Sequence, residues 1–157
     1  MKTIPLTQGQ VALVDDKDFE RFCGFRWSAV LRGKRWYAVR SGPRPSKKII
    51  YLHRAILGVT DYRVKVDHRD HDGLNCLREN LRACTNAQNM QNQSGLQSSN
   101  TSGFRGVSLH ADTGRWVAFI SIRGRQTYLG LFSDKASAAQ AYAAANRKHF
   151  GSFGGKF

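Results

Sequence analysis

The segment at residues 91–103 constrains the fold of this chain more than any other. It reads QNQSGLQSSNTSG, with Leu96 as its one large apolar residue. A polar stretch rich in Gly and Ser is typical of a flexible linker, which we place at residues 93–102. The chain has 157 residues, so this division leaves two small units, each with a marginal core of its own. We therefore expect separate domains at residues 1–92 and 103–152.

The charge indicates the class of partner. Lys and Arg number 25 against 11 Asp and Glu, for a net charge of +14. Each phosphate that a basic side chain neutralises releases counterions, so such a surplus favours a nucleic-acid partner. A charge kept only for solubility is the plainer alternative. The excess is present on both sides of the linker, and we expect both units to contact the same polyanion.

The sequence disfavours two classes of protein: membrane proteins and proteins stabilised by disulfides. No apolar run approaches the roughly 20 residues that span a bilayer, and the N-terminus lacks the apolar stretch of a signal peptide. The three cysteines form no CxxC pair, which favours reduced thiols in the cytosol. A zinc site remains a weaker alternative because its ligands would lack paired spacing; they would be His68, His71, Cys76 and Cys84.

Residues 1–50 predict a basic, β-rich region. QVALVDD suggests a short strand, and FRWSAV and RWYAVR flank the turn-like LRGK as a hairpin. Arg21 to Arg54 holds ten Lys and Arg and no acid, with Trp27, Trp36 and two tyrosines among them. Basic residues interleaved with aromatic ones suit a protein surface that follows the phosphate backbone of a nucleic acid. The alternative is that the aromatics form the core, which we favour for Trp27 and extend to Trp36, with the basic side chains exposed.

The stretch 66–92, VDHRDHDGLNCLRENLRACTNAQNMQN, is dense in groups that can support hydrolysis. Adjacent Asp67 and His68 would point to opposite faces of a strand, one toward a metal and one toward a water. Thr85 can cap a helix that carries Asn89, whose amide oxygen suits magnesium or manganese. Asn80, before the strand LRAC, can bridge backbone groups and hold the loop of His68. Residue types alone leave this open, because Asn is also common in turns.

Residues 52–92 resemble the HNH nucleases of phage and intron homing endonucleases, through LHR, VDH, a loop with Gly and Asp, NLR and a terminal QN. The resemblance implies a ββα-metal finger at residues 51–92. It implies His68 as general base and Asn80 as the structural middle residue. Asp67 and Asn89 would hold one divalent cation, Mg²⁺ or Mn²⁺.

The chain departs from that family at two places. Asn75-Cys76 replaces the usual Asp-Asn, which puts the turn after Asp72 in question, and His71 stands where Gly is common. We interpret His71 as a solvated loop residue and His53 as structural. Arginine cannot act as a base at neutral pH, so the nearby arginines are expected to contact phosphates; they are Arg54, Arg78 and Arg82.

Residues 103–150 predict three strands and one helix. RWVAFISI and QTYLGLF are β-like and joined by a turn at 123–125. Ser133 can cap a helix that runs to about Phe150 and stops at Gly151. One helix face is expected to pack on the sheet; it carries Ala138, Ala141, Tyr142 and Ala145.

This stretch resembles the APETALA/ethylene-response-factor DNA-binding domain through RGV, RW, YLG and the Ala-rich AYxxAA helix. The resemblance implies a sheet that enters the major groove. Strand alternation puts Trp116 with Ala118 toward the helix. The residues expected to face DNA are Arg105, Arg115, Arg123, Arg125, Gln126 and Tyr128. Three positions that carry charged side chains in the plant domains are uncharged here: Ser108, Phe119 and Ser121. We therefore expect fewer contacts between arginine and guanine bases.

We therefore expect an α+β protein: a β-rich region with an HNH finger, then a three-stranded sheet packed on one helix. The expected function is metal-dependent hydrolysis of double-stranded DNA to 5′-phosphate and 3′-hydroxyl ends. A single catalytic centre would nick one strand of the duplex. The sequence leaves open whether the protein is a monomer or a dimer. The expected setting is cytoplasmic, phage-encoded in a bacterial host. The alternative is a DNA-binding protein that does not cleave; RNA is disfavoured because its major groove is too narrow.

Overall fold

A computed structural model describes residues 1–92 and 95–154. Within these ranges the chain is mixed α+β, with four α-helices and several small antiparallel sheets, which confirms the predicted class. It divides into two compact units, Met1–Asn89 and Met90–Phe157. Gln93 and Ser94 of the predicted linker lie outside the described residues. No helix in the described ranges is both long and apolar enough to cross a bilayer.

The first unit begins with two small sheets. β1 (Lys2–Pro5) pairs antiparallel with β2 (Val11–Val14), and α1 (Asp16–Phe22) follows. The second sheet contains β3 (Ser28–Arg32), β4 (Arg35–Ser41) and β5 (Ile49–Tyr51), in that order. The predicted strand in QVALVDD and the predicted hairpin around LRGK are both present.

The second half of this unit is a helix, a ribbon and another helix. α2 (Leu52–Leu57) follows β5 directly. β6 (Lys65–His68) pairs antiparallel with β7 (Leu81–Cys84), and α3 (Asn86–Gln91) comes next. The Thr85 hydroxyl accepts from the Gln88 N–H at 3.2 Å, and the Gln88 side chain accepts from the Thr85 N–H at 2.9 Å. This reciprocal capping box confirms Thr85 as the cap.

The core of the first unit lies between these elements. Ile4, Val14 and Leu52 are almost completely buried. The Trp27 indole is 3% exposed and donates to the Phe22 carbonyl at 2.9 Å, so its predicted core role is confirmed. Trp36 is partly buried and packs against the same cluster.

The second unit is a three-stranded sheet and one long helix, as predicted. β8 (Val107–His110), β9 (Arg115–Ile122) and β10 (Arg125–Phe132) pair antiparallel in the order β10-β9-β8, and α4 (Lys135–Phe150) follows. The cap is Asp134, not Ser133: the Asp134 carboxylate accepts from the Ser137 N–H at 2.8 Å. The helix begins one residue later than expected, and Asp134 is the residue whose side chain reaches the third N–H. Gly151 ends α4 at φ +53°, as predicted.

Strand register tests the predicted faces of this sheet. Trp116 packs with Ala118 against the helix, as expected. Tyr128 lies opposite Phe119 and Gln126 lies opposite Ser121, so these four residues share the outward face. Arg125 lies opposite Ile122 and therefore belongs to the helix side. Its assignment to the outward face was wrong. Arg125 is the direct neighbour of Gln126, which faces outward, and neighbouring residues of a strand point to opposite faces.

An ion pair between a buried carboxylate and a half-exposed guanidinium ties the first unit together. The Asp18 carboxylate is completely buried and accepts from Arg78 Nε at 2.7 Å and Nη2 at 2.8 Å. Arg78 also donates to the Ile56 carbonyl at 3.0 Å, so α1, α2 and the loop before β7 meet at one guanidinium. The Arg78 backbone N–H donates to Asp15. Arg78 thus has a structural role, and the phosphate contact expected of it stays a prediction.

Replacing Arg78 by Met should destabilise this unit strongly. The change removes two of the bonds to the buried Asp18 carboxylate and keeps the 3.1 Å bond from Arg21. We expect a loss of about 2–4 kcal/mol in the free energy of unfolding. Urea titration followed by circular dichroism measures it. The control, Arg21→Met, removes the partner that makes one longer bond, at 3.1 Å, and should cost less than about 1 kcal/mol. Equal losses for the two variants would contradict this assignment.

Candidate active site

A cavity of about 320 Å³ in the first unit brings the predicted chemical groups together. Asp67 and His68 from β6 and Asn89 from α3 all line it. The rest of its wall consists of residues from the β3–β4 hairpin, from β5 and α2, and from β6: Arg32, Arg35, Tyr37, Tyr51, His53, Arg54 and Val66. A wider groove of about 480 Å³ runs along α4, but its lining contains no carboxylate, imidazole or thiol.

His68 ends β6 and is 6% exposed. Burial lowers the pKa of its imidazole to about 4; the carboxylates of Asp70, Asp67 and Asp72 oppose the shift, and the Arg35 guanidinium adds to it. The ring is therefore neutral near pH 7. A neutral imidazole at the wall of a cavity can accept a proton.

Asn80 holds the loop that follows His68. Its side-chain N–H donates to the Asp70 carboxylate at 2.9 Å and to the Asn75 carbonyl at 2.8 Å. Its side-chain oxygen accepts from the Asp70 N–H at 3.1 Å, and its backbone carbonyl accepts from Arg69 at 3.0 Å. Asn80 thus bridges backbone groups on both sides of the loop, in the way that the sequence predicted.

The turn after Asp72 accommodates the unusual Asn75-Cys76 pair. Asn75 donates to the Asp70 carboxylate at 2.6 Å. Cys76 is completely buried, its N–H donates to Leu13 at 2.8 Å, and burial raises the pKa of its thiol to about 12. His71 has φ +68°, is half-buried and is absent from the lining of the cavity.

Asp67 is paired across the ribbon with Arg82. Its carboxylate accepts from Arg82 Nε at 2.8 Å and lies 2.7 Å from Nη2, and both side chains are 7% exposed. Arg82 was expected to contact phosphates, but this pairing and burial make it a support for Asp67. Arg54 is also used internally, because its guanidinium donates to the carbonyls of Val64 at 2.8 Å and Asp61 at 2.7 Å.

His53 has a larger place in the site than its sequence suggested. It lies on α2, as expected, but its ring centroid is 4.9 Å from that of His68. The ring of Tyr37 lies 5.7 Å from His53 and 6.0 Å from His68. Sequence reasoning did not assign Tyr37, Arg32 or Arg35 to the site individually. The only available signal was the density of basic and aromatic residues in that hairpin.

The donor set suits a hard divalent cation. Within residues 1–92 and 95–154, no three His, Cys, Asp or Glu side chains are arranged to hold a metal ion. Cys76, a member of the zinc alternative, belongs to the core. The Asp67 carboxylate and the Asn89 amide are oxygen donors on one cavity. Magnesium usually takes one or two protein oxygens and completes its shell with water and phosphate, so these two residues fit it.

The second unit exposes the outward face of its sheet. Tyr128 is 57% exposed, and its ring centroid is 5.5 Å from that of Phe119. Arg115 is exposed at the start of β9. Arg105 has a further role, because it donates to the backbone carbonyls of Gln91 at 3.3 Å and Gly95 at 3.2 Å.

The two buried imidazoles should make stability depend on pH. Burial lowers the pKa of His53 from 6.5 to about 3 and that of His68 to about 4. Below pH 6.5 these imidazoles bind protons in the unfolded chain but not in the folded one. The free energy of unfolding therefore has its full value above pH 6.5 and falls as the pH drops toward 4. Each imidazole should contribute up to about 1.4 kcal/mol per pH unit.

Thermal unfolding at several pH values between 4 and 7 measures this dependence. His53→Asn removes one titrating group and should reduce the slope, whereas His149→Asn, at an exposed position on α4, should leave it unchanged. A stability that is constant from pH 4 to 6.5 would contradict the prediction.

Comparison of the chain with protein-family models, with curated proteins and with solved structures found no match.

Proposed function

We propose that this protein is a metal-dependent DNA endonuclease that hydrolyses phosphodiester bonds to 5′-phosphate and 3′-hydroxyl ends. The observation that carries the proposal is the common cavity of Asp67, His68 and Asn89. These residues were selected from the sequence for complementary chemistry, and they come from a strand and a helix. In this proposal β6, β7 and α3 form the ββα-metal finger of an HNH nuclease.

His68 is the proposed general base. Its neutral ring accepts a proton from the attacking water, and the rings of Tyr37 and His53 limit its orientation. Asn80 keeps the following loop in place through its bonds to Asp70 and Asn75. Positioned general bases typically contribute about 10²–10⁴-fold to a rate.

Asp67 and Asn89 are the proposed ligands of one Mg²⁺ or Mn²⁺. Such an ion, when bound, supplies a charge that stabilises negative charge on the phosphate and on the departing 3′ oxygen. Arg82 orients the Asp67 carboxylate from across the ribbon and compensates its burial. Ligand carboxylates are commonly held by such neighbours.

The second unit is proposed to bind duplex DNA through the outward face of its sheet. Phe119, Ser121, Gln126 and Tyr128 share that face, and Arg115 lies at one end of β9. The net charge of +14 supports a polyanionic partner. The proposed partner is therefore double-stranded DNA, bound by both units of one chain.

One observation favours a second candidate, a DNA-binding protein that does not cleave. The Asp67 carboxylate already pairs with the Arg82 guanidinium at 2.7 Å, and a cation would have to bind beside this pair. The guanidinium and a metal cation are both positive, so they would compete for the same carboxylate. The cleavage experiment separates the two candidates.

The test is cleavage of a supercoiled plasmid pool that carries randomised inserts, with Mg²⁺ or Mn²⁺ and with a chelator. We expect metal-dependent nicked circles from the wild type and a rate about 10²–10⁴-fold lower for His68→Ala. The matched control is His71→Ala, in the same loop but away from the cavity wall, which should cleave at nearly the wild-type rate. Linear product would indicate that two sites act together.

Binding without cleavage in either metal would reject the nuclease and support the second candidate. Equal losses in His68→Ala and His71→Ala would reject His68 as the base, since the loop as a whole would then be responsible.

The two faces of the C-terminal sheet should differ in DNA binding. Arg115→Ala should lower the slope of log affinity against log salt by about one, because each lost phosphate contact removes about one released counterion. Arg125→Ala removes the same charge from the helix side and should leave the slope unchanged. Fluorescence anisotropy of a labelled duplex measures both. An equal effect of the two variants would contradict the assignment of the outward face.

A further inference from the structure

Four uncharged side chains lie together on the outward face of the second unit's sheet. Phe119 on β9 lies opposite Tyr128 on β10. Ser121 lies opposite Gln126 in the same register, two positions further along β9. Side chains two positions apart on a strand share one face, so the two pairs are neighbours. We call these four residues the outward quartet.

An exposed aromatic pair makes up half of the outward quartet. The ring centroids of Phe119 and Tyr128 are 5.5 Å apart, and their planes meet at 59°. Tyr128 is 57% exposed, and Phe119 is partly exposed. A methyl group that packs against such rings leaves water, which is worth about fourfold in affinity. In the major groove of DNA, the C5-methyl group of thymine is the apolar group on the edge of a base.

The other half of the outward quartet offers hydrogen bonds. Ser121 and Gln126 are both exposed, and neither side chain hydrogen-bonds within the described part of the chain. The carboxamide of Gln can pair with adenine through the N6 and N7 atoms of the base. The Ser121 hydroxyl can donate or accept. Thymine and adenine together are therefore the base edges that suit this face.

Charge complementarity identifies the occupant as DNA. The segment 90–157 has eight Lys and Arg against two Asp and Glu. Arg115 begins β9, Arg123 lies in the turn after it, and both are exposed. Such cations at the ends of the strand favour phosphates beside the outward quartet. Guanine, in contrast, is read mostly by Arg or Lys, and the outward quartet contains neither.

We propose that the outward quartet reads A·T base pairs in the major groove, with Phe119 against a thymine methyl group and Gln126 against an adenine. A two-stranded ribbon such as β9 and β10 fits that groove. Phe119 and Gln126 are diagonal neighbours, about 7–8 Å apart, and two base-pair steps rise by about 7 Å. Both contacts therefore fall within about three base pairs. This inference rests on the proposed binding of DNA by the second unit and names the bases that it prefers.

The test begins with a selection by the full chain in EDTA, from 30-base-pair duplexes with a randomised centre. We expect A·T pairs to be enriched at two or more positions within three base pairs. The most enriched duplex is then synthesised with deoxyuridine in place of thymidine, which removes the methyl groups and leaves the protein unchanged. Fluorescence anisotropy should show about fourfold weaker binding for each methyl contact that is lost.

Protein variants assign the two contacts. Phe119→Ala should bind the thymidine and deoxyuridine duplexes with equal affinity, because the ring that packs on the methyl group is gone. Gln126→Ala should bind the enriched duplex about tenfold more weakly, which is the usual size of a lost bidentate base contact. Leu109→Ala is the matched control and should keep the deoxyuridine effect. Leu109 is 54% exposed but lies opposite Trp116, on the other face of the same sheet.

Equal affinity of the wild type for the two duplexes would overturn the proposal, as would enrichment of G·C pairs or of no sequence at all. A deoxyuridine effect that Phe119→Ala retains, or that Leu109→Ala also abolishes, would overturn the assignment to the outward face. Failure of the proposed nuclease gives a different result, in which the A·T preference persists in EDTA and the plasmid pool stays uncut. A wild type that binds no duplex would overturn both proposals.

Discussion

The first unit depends on the buried carboxylate of Asp18. A fully buried charge costs several kcal/mol unless it is paired, and Arg78 supplies the pair through two bonds of 2.7 and 2.8 Å. The same guanidinium reaches the end of α2 at Ile56. Because Arg78 lies two residues before Asn80, the pair also fixes the entry into β7. Asn80 in turn holds the loop of His68, so the position of the proposed base follows from a contact with α1.

The elements of this fold were predictable because their signals are local. The Thr85 capping box and the Gly151 stop are readable within a few residues, and the β3–β4 hairpin follows from strand patterns around a turn. The register that joins Asp18 to Arg78 is not local, since these residues are 60 positions apart. Sequence shows that an arginine is charged, but only tertiary proximity shows whether its partner is a buried carboxylate or a solvent-exposed phosphate.

That distinction explains why the structure gives four of these arginines partners that the sequence did not predict. Arg78 and Arg82 pair with buried acids, and Arg54 and Arg105 donate to backbone carbonyls. All four were expected to contact DNA because of their charge and their places in the two resemblances. The groups of Asp67, His68 and Asn89 were easier to select, because their complementary chemistry and the resemblance to HNH nucleases indicated the same residues. His53 was underestimated since its neighbour His68 is 15 positions away and meets it only in the folded unit.

The distribution of buried polar groups separates the roles of the two units. The first unit buries six polar or charged side chains, five of them ionisable: Asp18, His53, Asp67, His68, Asn80 and Arg82. The buried polar side chains described in the second unit, Asn92, Ser102 and Asn146, carry no charge. Buried ionisable groups weaken a small domain unless they are fully paired, and a short chain has little core to offset them. A fold that needed only to present a charged surface has no reason to accept this cost, because exposed Lys and Arg are sufficient. Three of the six, His53, Asp67 and His68, line the cavity of the proposed active site, and this favours the first unit as the place of the proposed chemistry.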